Sequence, residues 1–524
     1  MDVILSNYFC KIPCGETIPF HNPHAVSVSL PKIQNVIDYE EGNSEVIDKM
    51  KSGYPRFFQN QFVKQLTQYI TEKYQISDET HIKKHFSSDE MKKWVPDNQN
   101  LNTFSEEKKL IPITSIQARN CIEKVFNVLF EYIEDEFENV FLILDSNDEN
   151  TKKYTDFIRN TGLIISSRKA EATLFQLNLI ETVFVEENVN EEQAVFNIKN
   201  TLSKAYGTFS EKIILSNCGM NALFAATEAL VSVQKEFGKT KIVQLGWLYV
   251  DTMEIIERKE NSHVQINIFD LLQLENWLEK NNEKVAVLIT EVVSNPLLQC
   301  VDLPRLHELC SRFSVKLIVD NTLATPFCVD VLPYCDLAVE SLTKFACGSA
   351  DLLFGAIIVK DEILISEINE YVIPPFEGEI KRLGFEILEY ENRVHKISEN
   401  TISLHNYLKT QSKVLEIKSV FHEDNLDNFS KIKKENVVPG LLSVVFDKDL
   451  AYYYDKLQLA KGPSLGTKFT LAMPYVYLAH YEYLKSESGL NKLDELGINP
   501  NLLRISVGTE PIEDIINAFQ LVLE

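Results

Sequence analysis

Asp320 and Lys344 each stand at the end of a strand-like run. Asp320 closes the apolar run 315–320 ahead of Asn321, and Lys344 ends the run 336–344, with Ser341 and Thr343 just before it. A carboxylate and an amine on neighbouring strands of one sheet suit pyridoxal phosphate chemistry. The amine holds the cofactor aldehyde covalently, and the carboxylate keeps the pyridine nitrogen protonated so that the ring can accept electrons. Ser341 and Thr343 add hydroxyl donors for a phosphate. Taken alone, the pair also fits a solvated lysine and an ordinary strand-end acid.

Other segments narrow the choice. Gly219 and Met220 lie where a strand gives way to a helix, and backbone amides at a helix N-terminus bind phosphate. Asn295, near the end of another strand, offers an amide toward a phenolate oxygen. Ser464 sits in a small-residue loop, and Arg504 can clamp a carboxylate through two parallel hydrogen bonds.

The elements that must position these residues can be read from periodicity. The runs 213–216, 242–245, 285–290 and 315–320 are short and mostly apolar, as strands buried on both faces of a parallel sheet are. Segment 302–314 opens with Asp302 and Pro304, both helix-start signals. Strand–helix–strand order implies right-handed crossovers and an α/β layer fold, with ligands beyond the carboxyl ends of the strands. Residues 1–58 form an arm punctuated by Pro and Gly, and 59–204 an inserted region. An amphipathic helix is expected over 115–137 and a buried strand over 140–145. Residues 205–365 form the major domain, and 366–524 a smaller α+β domain with strands at 441–446 and 503–507.

Composition excludes several roles. With 76 acidic and 52 basic residues, a net charge of -24 argues against nucleic acid or an anionic membrane as partner. Nine scattered cysteines without a CxxC pair read as free thiols in a reducing compartment, and no His/Cys cluster suggests a metal. The first residues lack the basic and apolar regions of a signal peptide, and no apolar run approaches the ~18 residues that span a bilayer. A cytoplasmic location is the expectation.

The blocks E-V-V-S-N-P-L-L (291–298), V-D-N-T-L-A-T-P (319–326), S-L-T-K-F (341–345) and G-S-A-D (348–351) follow in that order. In them the chain resembles the Cys/Met-metabolism family of pyridoxal phosphate enzymes over roughly 205–510, most of all its fungal cystathionine γ-synthase branch. The arm blocks 24–31 and 53–56 and the segment 161–171 are similar to that branch too. The resemblance implies a fold type I, aspartate-aminotransferase-like domain with pyridoxal 5'-phosphate (PLP) bound. Lys344 would carry the cofactor and move protons, Asp320 pair with the ring nitrogen, and Asn295 bond the ring oxygen. Gly219, Met220, Ser341 and Thr343 would hold the phosphate, joined by Tyr54 and Arg56 reaching over from a neighbouring subunit of a homodimer or homotetramer. Ser464 and Arg504 would take the substrate α-carboxylate.

The implied reaction is γ-replacement in transsulfuration and methionine biosynthesis: O-acylhomoserine plus cysteine giving cystathionine. Cystathionine lyase, O-acylhomoserine sulfhydrylase and a non-catalytic binding relative stay open beside it. The chain departs from the family pattern at Leu245, where a ring-stacking tyrosine is usual, with Trp247 or Tyr249 as substitutes. Glu340 replaces a small residue or histidine, and Phe345 a tyrosine. The long stretch between Arg56 and Gly219 makes Arg168 a rival phosphate ligand.

Overall fold

The computed structural model describes residues 8–54, 58–76, 108–259 and 262–524. The chain divides into two units, Met1–Tyr54 with Glu186–Glu524, and Pro55–Val185. The arm thus joins the C-terminal part of the chain, and the second unit is inserted between them. The inserted region ends earlier than its expected boundary at 204. The helix Glu191–Tyr206 (α1) belongs to the major unit, because Ala194, Ile198, Leu202 and Tyr206 enter its largest apolar core.

The arm is more structured than its Pro/Gly texture predicts. It holds the short antiparallel pair β1 (Thr17–Ile18) and β2 (Ser27–Val28) and a helix at Ile33–Glu40. In the inserted unit, β3 (Lys108–Ile113), β4 (Tyr132–Glu134) and β5 (Val140–Asp145) form an antiparallel sheet in the order β3-β5-β4. Its helices include Gln61–Ile76 and Ser167–Gln176, and Leu66, Ile70, Phe141 and Leu174 share its core. The helix expected over 115–137 covers only Ile116–Phe126. Asn127, in the left-handed region at φ 52, ends it, and the chain turns back into β4.

The major sheet has seven strands: β6 (Ile213–Ser216), β7 (Lys241–Leu245), β8 (His263–Gln265), β9 (Val285–Glu291), β10 (Lys316–Asp320), β11 (Leu337–Ser341) and β12 (Gly355–Val359), in the order β6-β12-β11-β10-β9-β7-β8. β12 runs antiparallel to both neighbours and the other pairings are parallel. The carboxyl ends of β6, β7, β9, β10 and β11 therefore share one edge. In β9 the first six residues are all buried, which explains its unbroken apolar run. A second sheet, β13 (Val414–Lys418), β14 (Leu441–Phe446), β15 (Ala460–Lys461), β16 (Leu471–Pro474) and β17 (Leu503–Ser506), has the order β13-β14-β17-β16-β15. Helices Tyr390–Lys409 and Ile512–Leu523 contribute Leu404, Leu408, Ile515 and Phe519 to its apolar core. Among the described residues, no helix is long and apolar enough to cross a membrane.

Candidate active site

Asp320 ends β10 in register with Glu291 on β9 and Val339 on β11. Its Oδ1 accepts from the Thr322 amide at 2.8 Å, and the Thr322 hydroxyl accepts from the Ser341 amide at 2.8 Å. One turn thus ties two strand ends together. Burial raises the Asp320 acid's proton affinity, against the bonds from Thr322. Burial and then the Asp320 charge push Glu291 up to about 8. Glu291 accepts from the amides of Tyr249 (2.6 Å) and Asn295 (3.1 Å), so it organises the loops after β7 and β9. Two acids side by side at strand ends create a place for a cation. The sequence contains Glu291, but only the register reveals that it faces Asp320.

Lys344 follows β11 in a turn closed by its amide to the Ser341 carbonyl at 3.2 Å. Burial, then the Arg504 charge, bring its amine down to about 7. Nζ lies 4.8 Å from the Tyr54 ring centroid, and among the described residues it has no carboxylate partner. A neutral amine near pH 7 is a nucleophile and a proton carrier.

That Tyr54 is the chain's own. The reason is how the arm is tied down. The Val26 amide donates to the Ala350 carbonyl at 2.8 Å and Leu30 to Lys461 at 3.1 Å, beside the lysine loop and on β15. Arg56 lies outside the described residues. Arg168 is buried in the inserted unit on the helix Ser167–Gln176.

Gly219 opens the helix Gly219–Lys235 (α2), and a Cβ there would lie 2.6 Å from the Ser341 Cβ. Only glycine lets the helix start approach Ser341 so closely, which leaves backbone amides beside a hydroxyl. Met220 follows in the first turn. Thr343, expected at the phosphate, is otherwise engaged: its buried hydroxyl donates to the Phe354 carbonyl (3.3 Å) and accepts from the Phe354 amide (3.0 Å). Its visible work is to pin the Lys344 turn to the segment leading into β12.

Arg504 on β17 is buried. It donates through Nη2 to the carbonyls of Pro463 (2.7 Å) and Ser464 (3.0 Å) and through Nη1 to Asn295 Oδ1 (3.5 Å). No carboxylate among the described residues pairs with it, its Nε has no partner, and the buried Ser464 hydroxyl has none either. Burial brings the guanidinium down to about 10. An uncompensated buried cation beside an unsatisfied hydroxyl fits a ligand carboxylate. Gly466, at φ +72, brings the Ser464 loop onto Lys344–Phe345, where a Cβ would lie 2.7 Å from the Phe345 amide nitrogen. Lys344, Asp320, Asn295, Gly219, Ser341, Ser464 and Arg504 thus cluster at the sheet edge.

Leu245 takes no part in this. It is wholly buried in the core under the sheet, so the doubt it raised about ring stacking does not concern a site residue. The aromatic groups near Arg504 are Tyr249 and Tyr475, whose positions bear on the arginine's charge. Tyr475 accepts from Trp247 Nε1 at 3.4 Å and lies 3.3 Å from His480 Nε2. Sequence reading missed Tyr475 and His480, since nothing in their spacing marks them.

The groups present fit PLP: a neutral amine, an acid at a strand end, a glycine-opened helix start beside a hydroxyl, and a buried arginine without an acid. The comparisons with known proteins agree. The sequence pattern of the Cys/Met metabolism PLP-dependent enzymes matches residues 192–524. L-2-amino-4-chloropent-4-enoate dechlorinase/desaturase of Streptantibioticus cattleyicolor is 30% identical over 507 residues, covering 95% of each chain. Cystathionine gamma-synthase of Neurospora crassa is 27% identical over an alignment of 635 residues, covering 97% of this chain and 98% of that protein. The crystal structure of cystathionine gamma synthase from Xanthomonas oryzae pv. oryzae with aminoacrylate and cysteine superposes at a TM-score of 0.55. It is 18% identical, over 63% of this chain and 86% of that one, a likeness of fold.

Proposed function

The chain belongs to the Cys/Met metabolism PLP-dependent enzymes, of the cystathionine γ-synthase type, and within them we propose γ-replacement on an O-acylhomoserine by cysteine, giving cystathionine. The observation that carries this reading is Arg504, a buried guanidinium without an acid partner among the described residues, in the same cluster as an amine poised near neutrality. Bound PLP supplies an electron sink for the carbons of the substrate. Asp320 holds the proton of the cofactor's ring nitrogen, Asn295 bonds its ring oxygen, and Gly219, Met220 and Ser341 receive its phosphate. Arg504 and Ser464 fix the α-carboxylate, which places Cα and Cβ before Lys344. The neutral Lys344 amine takes the proton from Cα, moves protons at Cβ, and returns one at the end. In the net exchange the Cγ–O bond breaks, its electron pair leaves with the carboxylate, and the cysteine sulfur bonds to Cγ as its proton is released.

A second reading rests on the Streptantibioticus relative. Its name places the departing chlorine on carbon 4, again the γ-carbon, and its alignment covers both chains with fewer inserted positions than that of the fungal synthase. Elimination at Cγ therefore uses the same residues without an incoming thiol. One assay separates the readings: cofactor-loaded protein with O-acetyl- or O-succinylhomoserine, with and without cysteine or sulfide, with L-2-amino-4-chloropent-4-enoate, and with cystathionine alone. Cystathionine as product supports the synthase; chloride release without replacement supports elimination. Homocysteine made from sulfide points to a sulfhydrylase, and cleavage of cystathionine to a lyase. Turnover of none of them leaves a binding role. Homo-oligomer formation is part of the same proposal, and sedimentation of the loaded protein tests it.

A further inference from the structure

Side chains alternate between the faces of a strand. On β11, Ser341 faces Gly219, so Glu340 points to the opposite face. On β10, Asp320 is in register with Val339 and shares the face of Ser341, while Asn321 follows on the back. Glu340 and Asn321 meet there through one phenol. The Tyr206 hydroxyl, from α1, donates to Glu340 Oε2 at 2.7 Å and accepts from Asn321 Nδ2 at 3.3 Å. The Tyr390 hydroxyl, from the helix Tyr390–Lys409 (α3), donates to Oε1 at 2.5 Å.

Glu340 is 2% exposed, and among the described residues no Lys, Arg or His pairs with it. The groups facing it are Tyr206 and Tyr390 from the two helices, Asn321 from β10 and the uncharged Ala356 opposite it on β12, while Asp320 on the other face acts through its charge. Burial pushes the acid up to about 7, the bonds from Tyr390 and Tyr206 pull it down, and the Asp320 charge pushes it up again. A carboxylate held by two phenols and no cation is costly in an interior unless a positive charge lies within its field. In the reading above that charge would be the protonated ring nitrogen that Asp320 would hold.

We propose that Glu340 is a positioning residue for Asp320: a second buried carboxylate whose charge, fixed by Tyr206 and Tyr390, strengthens the hold of Asp320 on the proton of the cofactor's ring nitrogen. The Tyr206–Asn321 bond keeps the end of β10 in place, and the charge acts through the low-dielectric strand pair. The proposal rests on the PLP site and not on which substrate is turned over.

The test is the 15N chemical shift of PLP labelled at the ring nitrogen, followed against pH in wild-type protein, Glu340→Gln and Tyr206→Phe. The amide keeps the shape and removes the charge. Glu340→Gln is expected to lose the ring proton at a pH about one unit lower, a tenfold weaker hold. Tyr206→Phe should shift the same way by less, because the carboxylate loses one donor. An unchanged titration in a variant whose melting temperature and near-UV circular dichroism match the wild type overturns the proposal. A lowered melting temperature with an unchanged titration makes Glu340 structural and overturns it equally. If Glu340→Gln does not fold, the Tyr206→Phe titration decides by the same criterion.

Discussion

Arg382 and Arg504 are both buried in the major unit, yet their surroundings are opposite. Arg382 donates to Asp351 from Nε (3.1 Å) and Nη2 (3.0 Å), pairs with Glu386 at 2.6 Å, and donates to the Glu187 carbonyl at 3.0 Å. Glu386 also receives Ser349 (2.8 Å) and Lys468 (2.6 Å), and Asp351 receives Asn22 of the arm (3.1 Å). Burial works against the Arg382 charge, but Asp351 and Glu386 outweigh it and hold the guanidinium above its usual range. Among the described residues Arg504 meets carbonyl and amide oxygens and no acid, and burial prevails. A buried charge that brings its own counter-ions locks loops together; one without them is set for a ligand's charge. The first cluster fixes the segment after Lys344, and the second faces the chemistry.

Substitutions should separate the two regions. The largest effect is expected from Lys344→Ala, with turnover reduced by about 10^3-fold or more, since nucleophile and proton carrier vanish together. Its melting temperature without cofactor should not fall, because among the described residues the amine removed has no ion-pair partner. Arg382→Ala should act the other way. Stranding Asp351 and Glu386 costs about 3–5 kcal/mol in urea unfolding, with kcat of the folded protein close to wild type. A large loss of kcat at full stability would move Arg382 into the site. Arg504→Ala should raise the amino-acid KM by an amount worth about 2–5 kcal/mol, with little change in stability. An unchanged KM would place the carboxylate elsewhere. The smallest effect concerns Leu245→Tyr, which overpacks a filled core and should cost about 1–3 kcal/mol without tightening cofactor binding. Tighter binding would return that position to the site.

Much of this contrast was legible in the sequence. Asp320, Lys344 and Arg504 announce themselves because they end, closely follow or lie in short apolar strands, and apolar strands are what sequence periodicity reads best. Arg382 carries no such signal, since Asp351 and Glu386 come from separate segments. Register hid the rest: the pairing of Asp320 with Glu291 and the meeting of Glu340 with Tyr206 and Tyr390 depend on strand alignment and on helices distant in the chain. Leu245 misled because residue type says nothing of direction, and it turns into the core. The shortened helix at Asn127 followed from one backbone conformation that an asparagine tolerates.

The central claim is that Lys344 is the residue that captures the cofactor, as a neutral amine. Borohydride fixation of the PLP adduct at a series of pH values, followed by peptide mass mapping, tests it directly. Below its pKa the amine is protonated and cannot attack, so capture should rise through pH values near 7 and then level off. The predicted result is a pyridoxyl mass on the peptide containing Lys344, lost in Lys344→Ala, with that pH course. An adduct on another lysine, its survival in Lys344→Ala, or a rate still climbing toward the ordinary lysine range would contradict the account.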